Sequence, residues 1–392
     1  MARNKHPGPC YYCKGWVEKG QGHFERNCGE WRTIHADCVF AMREFKERKH
    51  QESLEMADLT EHVKDDATLN ALYDGIKAKH SDTPRRYLGG SIIGKSCARQ
   101  LWYDFRWVHF EDFDGRLLRL FETGHLEEPR MVKNMRDAGI EVYEVDDRTG
   151  QQFGVQFHGG HFRGHADGVA IGIKEAPKTW HLCEFKTHND KSFKLLLKDG
   201  VEKSKPMHFA QVQVYMLGLG LTRAFYLAKN KNDDTLYAER IEYDKAKAEE
   251  YVERARRIIF AEEPPMKISE KPDWFECRFC AYSDYCHGGV DVIPSLLPNV
   301  NCRTCIHSTA QTDGTWLCEL RNTTLPYEQQ LEGCSEHRWV PQLLPNLSVL
   351  EAEETALGAT VVWYCQTGDS DCYVNNGNGS IVGQAEYEGK NV

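Results

Sequence analysis

Two segments near the middle of the chain combine the apolar alternation of strands with charged residues. The first, residues 161–172, contains Asp167, and the second, residues 180–187, contains Glu184 and Lys186. Residues i and i+2 of a strand lie on the same face of a sheet, so Glu184 and Lys186 project together. We expect Asp167, on a neighbouring strand, to complete a group of two carboxylates and one amine.

This combination of residue types suits phosphodiester hydrolysis. Mg²⁺ and similar hard cations take oxygen ligands, usually one or two carboxylates together with substrate phosphates. A metal held in this way activates water, and a lysine can orient that water or neutralise developing charge. The pattern therefore suggests a metal-dependent nuclease. Such a short pattern also occurs on solvated strand faces, so the other motifs of the chain decide between the two interpretations.

The composition is that of a globular protein with two or three domains. Of 392 residues, 41% are hydrophobic and 28% are charged, and no apolar stretch approaches the length of a membrane span. The first residues lack the apolar segment of a secretory signal. We therefore expect no membrane association and a cytoplasmic location, which would be the host cytoplasm for a phage-encoded protein, with reduced thiols.

The chain has fifteen cysteines. An odd number in a reducing compartment favours metal ligation over disulfide bonds. The first group combines Cys10 and Cys13 with His35 and Cys38, and two close ligand pairs separated by a loop are typical of structural zinc sites. Cys28 lies between the pairs and can replace His35, a choice that the spacing leaves open.

A second group of cysteines lies near the C-terminal end. Four ligands leave no open coordination position, so a structural zinc ribbon is favoured over a catalytic metal. The expected ligands are Cys302, Cys305, Cys318 and Cys334, with His307 and His337 as alternates.

A third group, Cys277, Cys280 and Cys286, lacks a fourth ligand nearby in the sequence. Cys97 is an isolated cysteine at the other end of the same predicted domain. Four thiolates hold either a tetrahedral zinc or a [4Fe–4S] cluster, and sequence spacing leaves both open. Either one would act as a clasp between the two ends of the domain.

The order of motifs and periodic segments predicts five parts. A zinc-binding module occupies residues 1–50, a helical connector 51–84, an α/β domain 85–290, a zinc ribbon-like module 291–345, and a C-terminal tail with short strands 346–392. Within the α/β domain, apolar periodicity predicts helices around 97–102, 117–138, 206–219 and 244–261, and strands around 140–146, 153–158, 223–228 and 235–243.

The net charge of −10 does not indicate a non-specific nucleic-acid coat, but clustered cations can act locally. Arg85 and Lys95 are among the candidate cations. The aromatic residues between 102 and 110 are capable of stacking on bases, although their spacing is more easily explained by a core position.

Taken together, the motifs resemble the iron–sulfur branch of the PD-(D/E)XK nucleases, which includes RecB-like nuclease domains and the exonucleases of CRISPR adaptation. Residues 121–129 are also similar to the first motif of the YqaJ-type phage recombination exonucleases. The resemblance covers roughly residues 85–290 and implies a restriction-endonuclease-like core, a mixed central sheet flanked by helices. It rests on Cys97, Gly164-x-x-Asp167, Glu184-x-Lys186, Gln211-x-x-x-Tyr215 and the closing Cys277, Cys280 and Cys286.

The resemblance also implies residue roles. Asp167 and Glu184 would bind Mg²⁺ or Mn²⁺, and Lys186 would be the catalytic lysine. A helical carboxylate would join them, for which Glu128 is preferred and Glu127 competes. The remaining implied residues are His125 as an additional metal ligand, and Gln211 and Tyr215 as contacts to the substrate backbone or braces for the lysine.

The resulting expectation is a metal-dependent DNA exonuclease of phage or bacterial recombination and processing. Its substrate would be linear DNA, single- or double-stranded, and it would act as a homo-oligomer or with a recombination partner protein. The alternative is a zinc-rich nucleic-acid-binding or adaptor protein whose nuclease core is inactive. The motifs leave open the polarity, the strand preference and the choice between exonuclease and endonuclease action.

Overall fold

The computed structural model describes residues 2–27, 30–39, 66–80, 83–110, 112–288, 297–344, 347–354, 360–366, 372–375 and 381–383. Cys28 and most of the predicted connector lie outside these residues. The chain forms two compact units, residues 1–79 and 80–392. Among the described helices, none is long and apolar enough to cross a bilayer.

The first unit is built from short strands around a very small core. Its cluster of buried apolar residues consists of Cys10, Val17, Ile34 and Val39. A core of this size buries little apolar surface, which is the condition under which small modules depend on a bound metal. The elements are β1 Ala2–Arg3, β2 Gly8–Pro9, β3 Trp16–Val17, β4 Gly22–Asn27, β5 Glu30–His35 and α1 Ala67–Lys77.

The second unit contains the predicted α/β core. Its strands are β6 Leu88–Gly89, β7 Glu141–Tyr143, β8 Val145–Asp146, β9 Gln151–Gln152, β10 Gly154–Phe157, β11 Phe162–His165, β12 Gly168–Ile171, β13 His181–His188, β14 Arg223–Asn230 and β15 Leu236–Glu242. Its helices are α2 Ala98–Arg106, α3 Gly115–Asp137, α4 Asp190–Ser204, α5 Pro206–Leu219, α6 Lys245–Ile259 and α7 Ser283–His287.

The central sheet has five strands in the order β15-β14-β13-β12-β7. β13 and β14 are parallel, and the other neighbouring pairs are antiparallel. A smaller sheet has the strand order β10-β11-β6, and its strand β11 immediately precedes β12 of the central sheet along the chain. The prediction of a mixed α/β sheet with helices is therefore confirmed.

Helix α5 is the most buried helix of the core. Every residue from Phe209 to Met216 is buried, because the helix is apolar on nearly all sides. Pro206 begins it and Gly220, with a φ of 68°, ends it in the left-handed conformation. Polar residues on such a helix must find buried partners, and Gln211 finds one in the candidate site.

Helix α3 runs along the mouth of that site. The side chain of Asp114 caps it by accepting a hydrogen bond from the N–H of Leu117. Pro129 lies inside the helix and has no N–H to donate to the carbonyl group of His125. The helical hydrogen bonding is therefore interrupted beside Glu128.

The predicted helices and strands of the core are present, with ends that differ by a few residues. Helix α4 was not predicted, because residues 190–204 are rich in lysine and contain Gly200, which adopts a φ of 69°. Its apolar residues Phe193, Leu196 and Val201 are buried. Packing against the sheet therefore stabilises a helix that the local sequence does not favour.

Residues 297–344 pack onto the α/β core. The buried guanidinium of Arg303 donates hydrogen bonds to the carbonyl oxygens of Phe105 and Arg86 and lies 3.6 Å from the centre of the Trp107 ring. This segment therefore continues the core. It contains β16 Ser308–Ala310, β17 Trp316–Cys318, β18 Thr323–Thr324 and α8 Tyr327–Glu332, and beyond it lies the sheet of β19 Leu347–Glu354, β20 Thr360–Gln366, β21 Cys372–Asn375 and β22 Ile381–Gly383.

Candidate active site and cysteine centres

Asp167 lies in the turn between β11 and β12, directly beside β13. Its Oδ2 accepts a hydrogen bond of 2.7 Å from the N–H of Phe185. This bond ties the turn to the strand that carries Glu184 and Lys186. The same Oδ2 lies 4.0 Å from Nζ of Lys186. The two segments that the sequence singled out therefore meet at one place.

Glu184 is completely buried, and its two carboxylate oxygens have different partners. Oε1 contacts the ammonium group of Lys186. Oε2 accepts a hydrogen bond of 3.0 Å from Nε2 of Gln211 on α5. Glu184 and Lys186 lie on one face of β13, as the strand spacing predicts. Gln211, the third residue of the group, comes from α5 in another part of the chain.

The electrostatics of this group favour the uptake of a cation. Burial raises the pKa of Glu184 to about 8, an effect that Lys186 partly offsets and Asp167 reinforces. Burial alone would lower the pKa of Lys186, but the neighbouring Glu184 and Asp167 charges outweigh it and raise that pKa. Concentrated negative charge with little solvent is relieved by a bound divalent cation.

Glu128 on α3 belongs to the same electrostatic group. Its pKa is raised, first by burial and then by the charge of Asp167, whereas Lys186 and His125 lower it. Glu128, His125 and Lys186 all line one cleft. Three carboxylates of this kind provide oxygen ligands suited to Mg²⁺ or Mn²⁺.

Glu127 is held elsewhere. Its Oε1 accepts a hydrogen bond of 2.6 Å from Nζ of Lys229, and Arg130 lies 3.3 Å from its other oxygen. Lys229 also contacts Asp234 at 2.6 Å. Of the two candidate carboxylates, the structure therefore directs Glu128 towards the site and Glu127 into an ion-pair network between α3 and β14.

Tyr215 is buried one helical turn after Gln211. A side chain on Gly164 or Gly90 would collide with its ring, since an added Cβ would lie 2.2 Å or 2.6 Å from Cε1. These glycines therefore leave the space that the tyrosine occupies. Burial raises the pKa of its hydroxyl, and the charges of Glu184 and Asp167 raise that pKa further.

The family model of the PD-(D/E)XK nuclease superfamily matches residues 41–287, which is more than half of the chain. The chain belongs to the PD-(D/E)XK nuclease superfamily. The match contains the whole Asp167, Glu184 and Lys186 group and ends one residue after Cys286, the last predicted ligand of the cysteine clasp. A comparison with curated proteins finds no match.

Solved structures show a weak likeness. The alkaline exonuclease LHK-Exo from Laribacter hongkongensis has a TM-score of 0.31 and 19% identity, over 44% of this chain and 86% of that one. LHK-Exo in complex with dAMP has a TM-score of 0.32 and 18% identity over the same shares. SSO0001 has a TM-score of 0.33 and 16% identity, over 61% of this chain and 96% of that one. Similarity at this level carries no argument about substrate.

The N-terminal cysteine group of this superfamily member is brought together. The ligand atoms of Cys10, Cys13, His35 and Cys38 all lie within 4.8 Å of one another. The Nε2 atom of His35 lies 2.9 Å from the carbonyl oxygen of Trp16, which leaves Nδ1 facing the thiols. Burial would raise the pKa of Cys10, but backbone N–H donors outweigh it and lower the pKa to about 6.

The four residues of the predicted clasp lie around one cavity, but among the described residues only the N-terminal group brings all its ligand atoms within 4.8 Å of one another. Cys97, Cys277, Cys280 and Cys286 line a single small cavity. The pKa values of the last three are raised first by burial, and Cys97 raises each of them further. Cys97 immediately precedes α2 and the other three follow α6, so residues from the two ends of the core line this cavity.

The C-terminal group is centred on Cys302. Burial raises its pKa to about 12, and the next contributions come from Cys305, Cys334 and Cys318. Of the alternate ligands, His337 lies 3.1 Å from Oγ1 of Thr304 through its Nε2. The charges of the other three thiols therefore act on Cys302, while His337 contacts Thr304.

The cleft has an aromatic wall formed by Phe110, Phe113 and Phe121. Of these, only Phe110 was among the aromatic residues considered from the sequence, and Phe113 and Phe121 were not predicted. Trp102 and Tyr103 are buried in the core as expected. The signal that identifies Phe121 is its spacing, since it precedes Glu128 by seven residues and so lies on the same face of α3.

Proposed function

We propose that this chain is a Mg²⁺- or Mn²⁺-dependent exonuclease that hydrolyses phosphodiester bonds of linear DNA. The observation that carries the proposal is the contact of Lys186 with Glu184, beside Asp167, in a superfamily of nucleases. Glu128 faces this group from α3. The similarity of residues 121–129 to the YqaJ-type motif supports the exonuclease form of the activity.

In this proposal Asp167, Glu184 and Glu128 hold the cation, with His125 as an additional ligand. The bound metal supplies Lewis-acid stabilisation of the phosphate and a more acidic water. Lys186, which stays protonated because its pKa is raised, orients the attacking water and offsets charge on the phosphate. Gln211 holds Glu184 in position, and Tyr215, one helical turn further along α5, contacts the substrate backbone or braces the lysine.

The alternative, a binding or adaptor protein with an inactive core, predicts decay of these contacts. The contacts of Asp167, Glu184 and Lys186 are instead complete, and the polar partner of Glu184 is present. This favours the enzymatic proposal.

For the cysteine groups we propose structural zinc at Cys10, Cys13, His35 and Cys38 and at Cys302, Cys305, Cys318 and Cys334. At Cys97, Cys277, Cys280 and Cys286 we propose a [4Fe–4S] cluster, on the strength of the resemblance to the iron–sulfur branch. A role in phage or bacterial recombination, with a partner protein or as a homo-oligomer, is part of the same proposal.

The test is digestion of end-labelled linear DNA, single- and double-stranded, with and without Mg²⁺ or Mn²⁺. We expect metal-dependent release of nucleotides that Asp167→Ala or Lys186→Ala reduces by at least about 100-fold, a typical loss for such groups. Lys198→Ala, an exposed lysine of α4, is the matched control. Undiminished cleavage by Asp167→Ala would refute the assignment of the site.

A further inference from the structure

The cleft that contains Glu128 and Lys186 has a volume of about 890 Å³ and one strongly aromatic wall. Phe110, Phe113 and Phe121 line it together with Leu120. Phe121 is 42% exposed and Phe110 is 36% exposed. Large apolar side chains that are left open to water in a binding cleft indicate a ligand with apolar surface of its own.

Phe121 lies on the same face of α3 as the candidate metal ligands. Phe121, His125 and Glu128 follow one another at intervals of four and three residues, and all three line the cleft. Seven residues correspond to two helical turns, or about 10.5 Å along the axis. An added Cβ on Gly124, between them, would meet nothing within 4 Å, so the helix surface there is open.

Neighbouring aromatic rings hold the ring of Phe121 in place. It contacts Phe113 edge-to-face, with ring centres 5.3 Å apart, and His80 contacts Phe113 in turn at 6.1 Å. Edge contacts of this type orient the ring, and 42% of Phe121 remains exposed. The wall therefore presents an aromatic surface whose orientation is fixed.

Cations occur in the same cleft. Arg85 and Lys231 are exposed there, and Lys95 lines it as well, paired with Asp104 at 3.1 Å. A ligand suited to this cleft would carry phosphates, which pair with the cations. It would also have accessible bases, which stack on the open aromatic face. In a duplex the base faces are stacked on one another, whereas in a single strand they are free to stack on protein rings.

We propose that Phe121 is a base-stacking residue that holds an unpaired nucleotide of the DNA in the cleft of the catalytic carboxylates, a few positions from the phosphate that is cut. This inference rests on the proposed nuclease function and adds its substrate form, a single strand or a frayed end. At the 3.4 Å rise of a stacked strand, 10.5 Å places this nucleotide about three positions from the scissile phosphate, and fewer in a stretched strand.

The test is the affinity for fluorescent single-stranded oligonucleotides, measured by anisotropy with Ca²⁺ in place of Mg²⁺. We expect Phe121→Ala to weaken binding about 5- to 150-fold, the range of one base–aromatic stack. Phe121→Trp should keep the affinity, because it keeps an aromatic face. Leu126→Ala is the matched control, since Leu126 is a more exposed apolar residue of the same helix, 69% exposed, that does not line the cleft.

A second measurement identifies the nucleotide. Moving one abasic position along the oligonucleotide should weaken binding to the unaltered protein at one or two adjacent positions, and this dependence should vanish in Phe121→Ala. Equal affinity of Phe121→Ala and the unaltered protein, or an abasic effect that persists in Phe121→Ala, would overturn the proposal. The binding assay requires no cleavage, so its result does not depend on the digestion assay with Asp167→Ala. Failure of the base-stacking proposal can therefore be distinguished from failure of the proposed nuclease function.

Discussion

The side-chain amide of Gln211 donates a 3.0 Å hydrogen bond to the carboxylate of Glu184, and both residues are buried. The bond joins the most buried helix to the strand that carries the catalytic group. It fixes one carboxylate oxygen while the other faces Lys186. Gln211 is therefore a positioning residue in the proposed mechanism.

Replacing Gln211 with alanine should weaken Mn²⁺ binding or lower kcat by about 10- to 100-fold, the usual cost of losing a partner of a metal ligand. Isothermal titration and single-turnover digestion measure the two effects. Gln213→Ala is the control, because Gln213 is equally buried on α5 but bonds to the carbonyl oxygen of Glu242 and the N–H of Asp244. It should lower stability and spare Mn²⁺ affinity. If Gln211→Ala and Gln213→Ala had the same Mn²⁺ affinity and the same kcat, the role of Gln211 would be contradicted.

The neighbours Glu127 and Glu128 should have opposite effects. Glu128→Gln should strongly reduce metal-dependent cleavage, because it removes a proposed ligand. Glu127→Gln should keep most of the cleavage and lower the free energy of unfolding by about 1–3 kcal/mol, because it weakens the bond to buried Lys229. Digestion assays and urea unfolding separate the two. A larger loss of activity in Glu127→Gln would reverse the assignment.

Metal binding should depend on pH through Glu184. Its pKa of about 8 in the folded chain exceeds the ordinary value, so below pH 8 the metal must displace a proton. Mn²⁺ affinity should rise about tenfold per pH unit up to pH 8 and then level off.

The raised pKa of Glu184 should also make the stability of the folded chain depend on pH. Because the folded pKa is raised, the metal-free chain should lose stability as the pH rises from about 5 through 8. Thermal unfolding across this range, with and without Mn²⁺, measures it. Glu184→Gln should flatten both dependences, and a flat Mn²⁺ affinity between pH 6 and 8 in the unaltered protein would be contrary to the prediction.

The cysteine clasp should bind iron through Cys97. An anaerobic preparation should be brown with broad visible absorption, and Cys97→Ser should reduce both its colour and its iron content. Cys183→Ser is the control, since Cys183 is buried in the sheet and does not line the cysteine cavity. A colourless preparation that contains only zinc would assign zinc to this group.

Much of the fold and part of the site could be predicted from local patterns. Strand spacing placed Glu184 and Lys186 on one face, and helical periodicity predicted the segment around Gln211 correctly. These features depend on a period of 2.0 or 3.6 residues and on close neighbours in the chain. Helix α4 was missed because its stability comes from contacts with the sheet that no local pattern records.

The sequence by itself determined the residue types of the catalytic group, their strand spacing and the cysteine pairs. Only the tertiary structure showed that Glu127 is held by Lys229 and not at the site, and only it placed Phe121 in the cleft. These outcomes depend on how α3 is rotated against the sheet and on ion pairs such as that of Glu127 with Lys229, 102 residues apart. Distant contacts of this kind set which side of a helix faces a site, and the helical period alone cannot specify them.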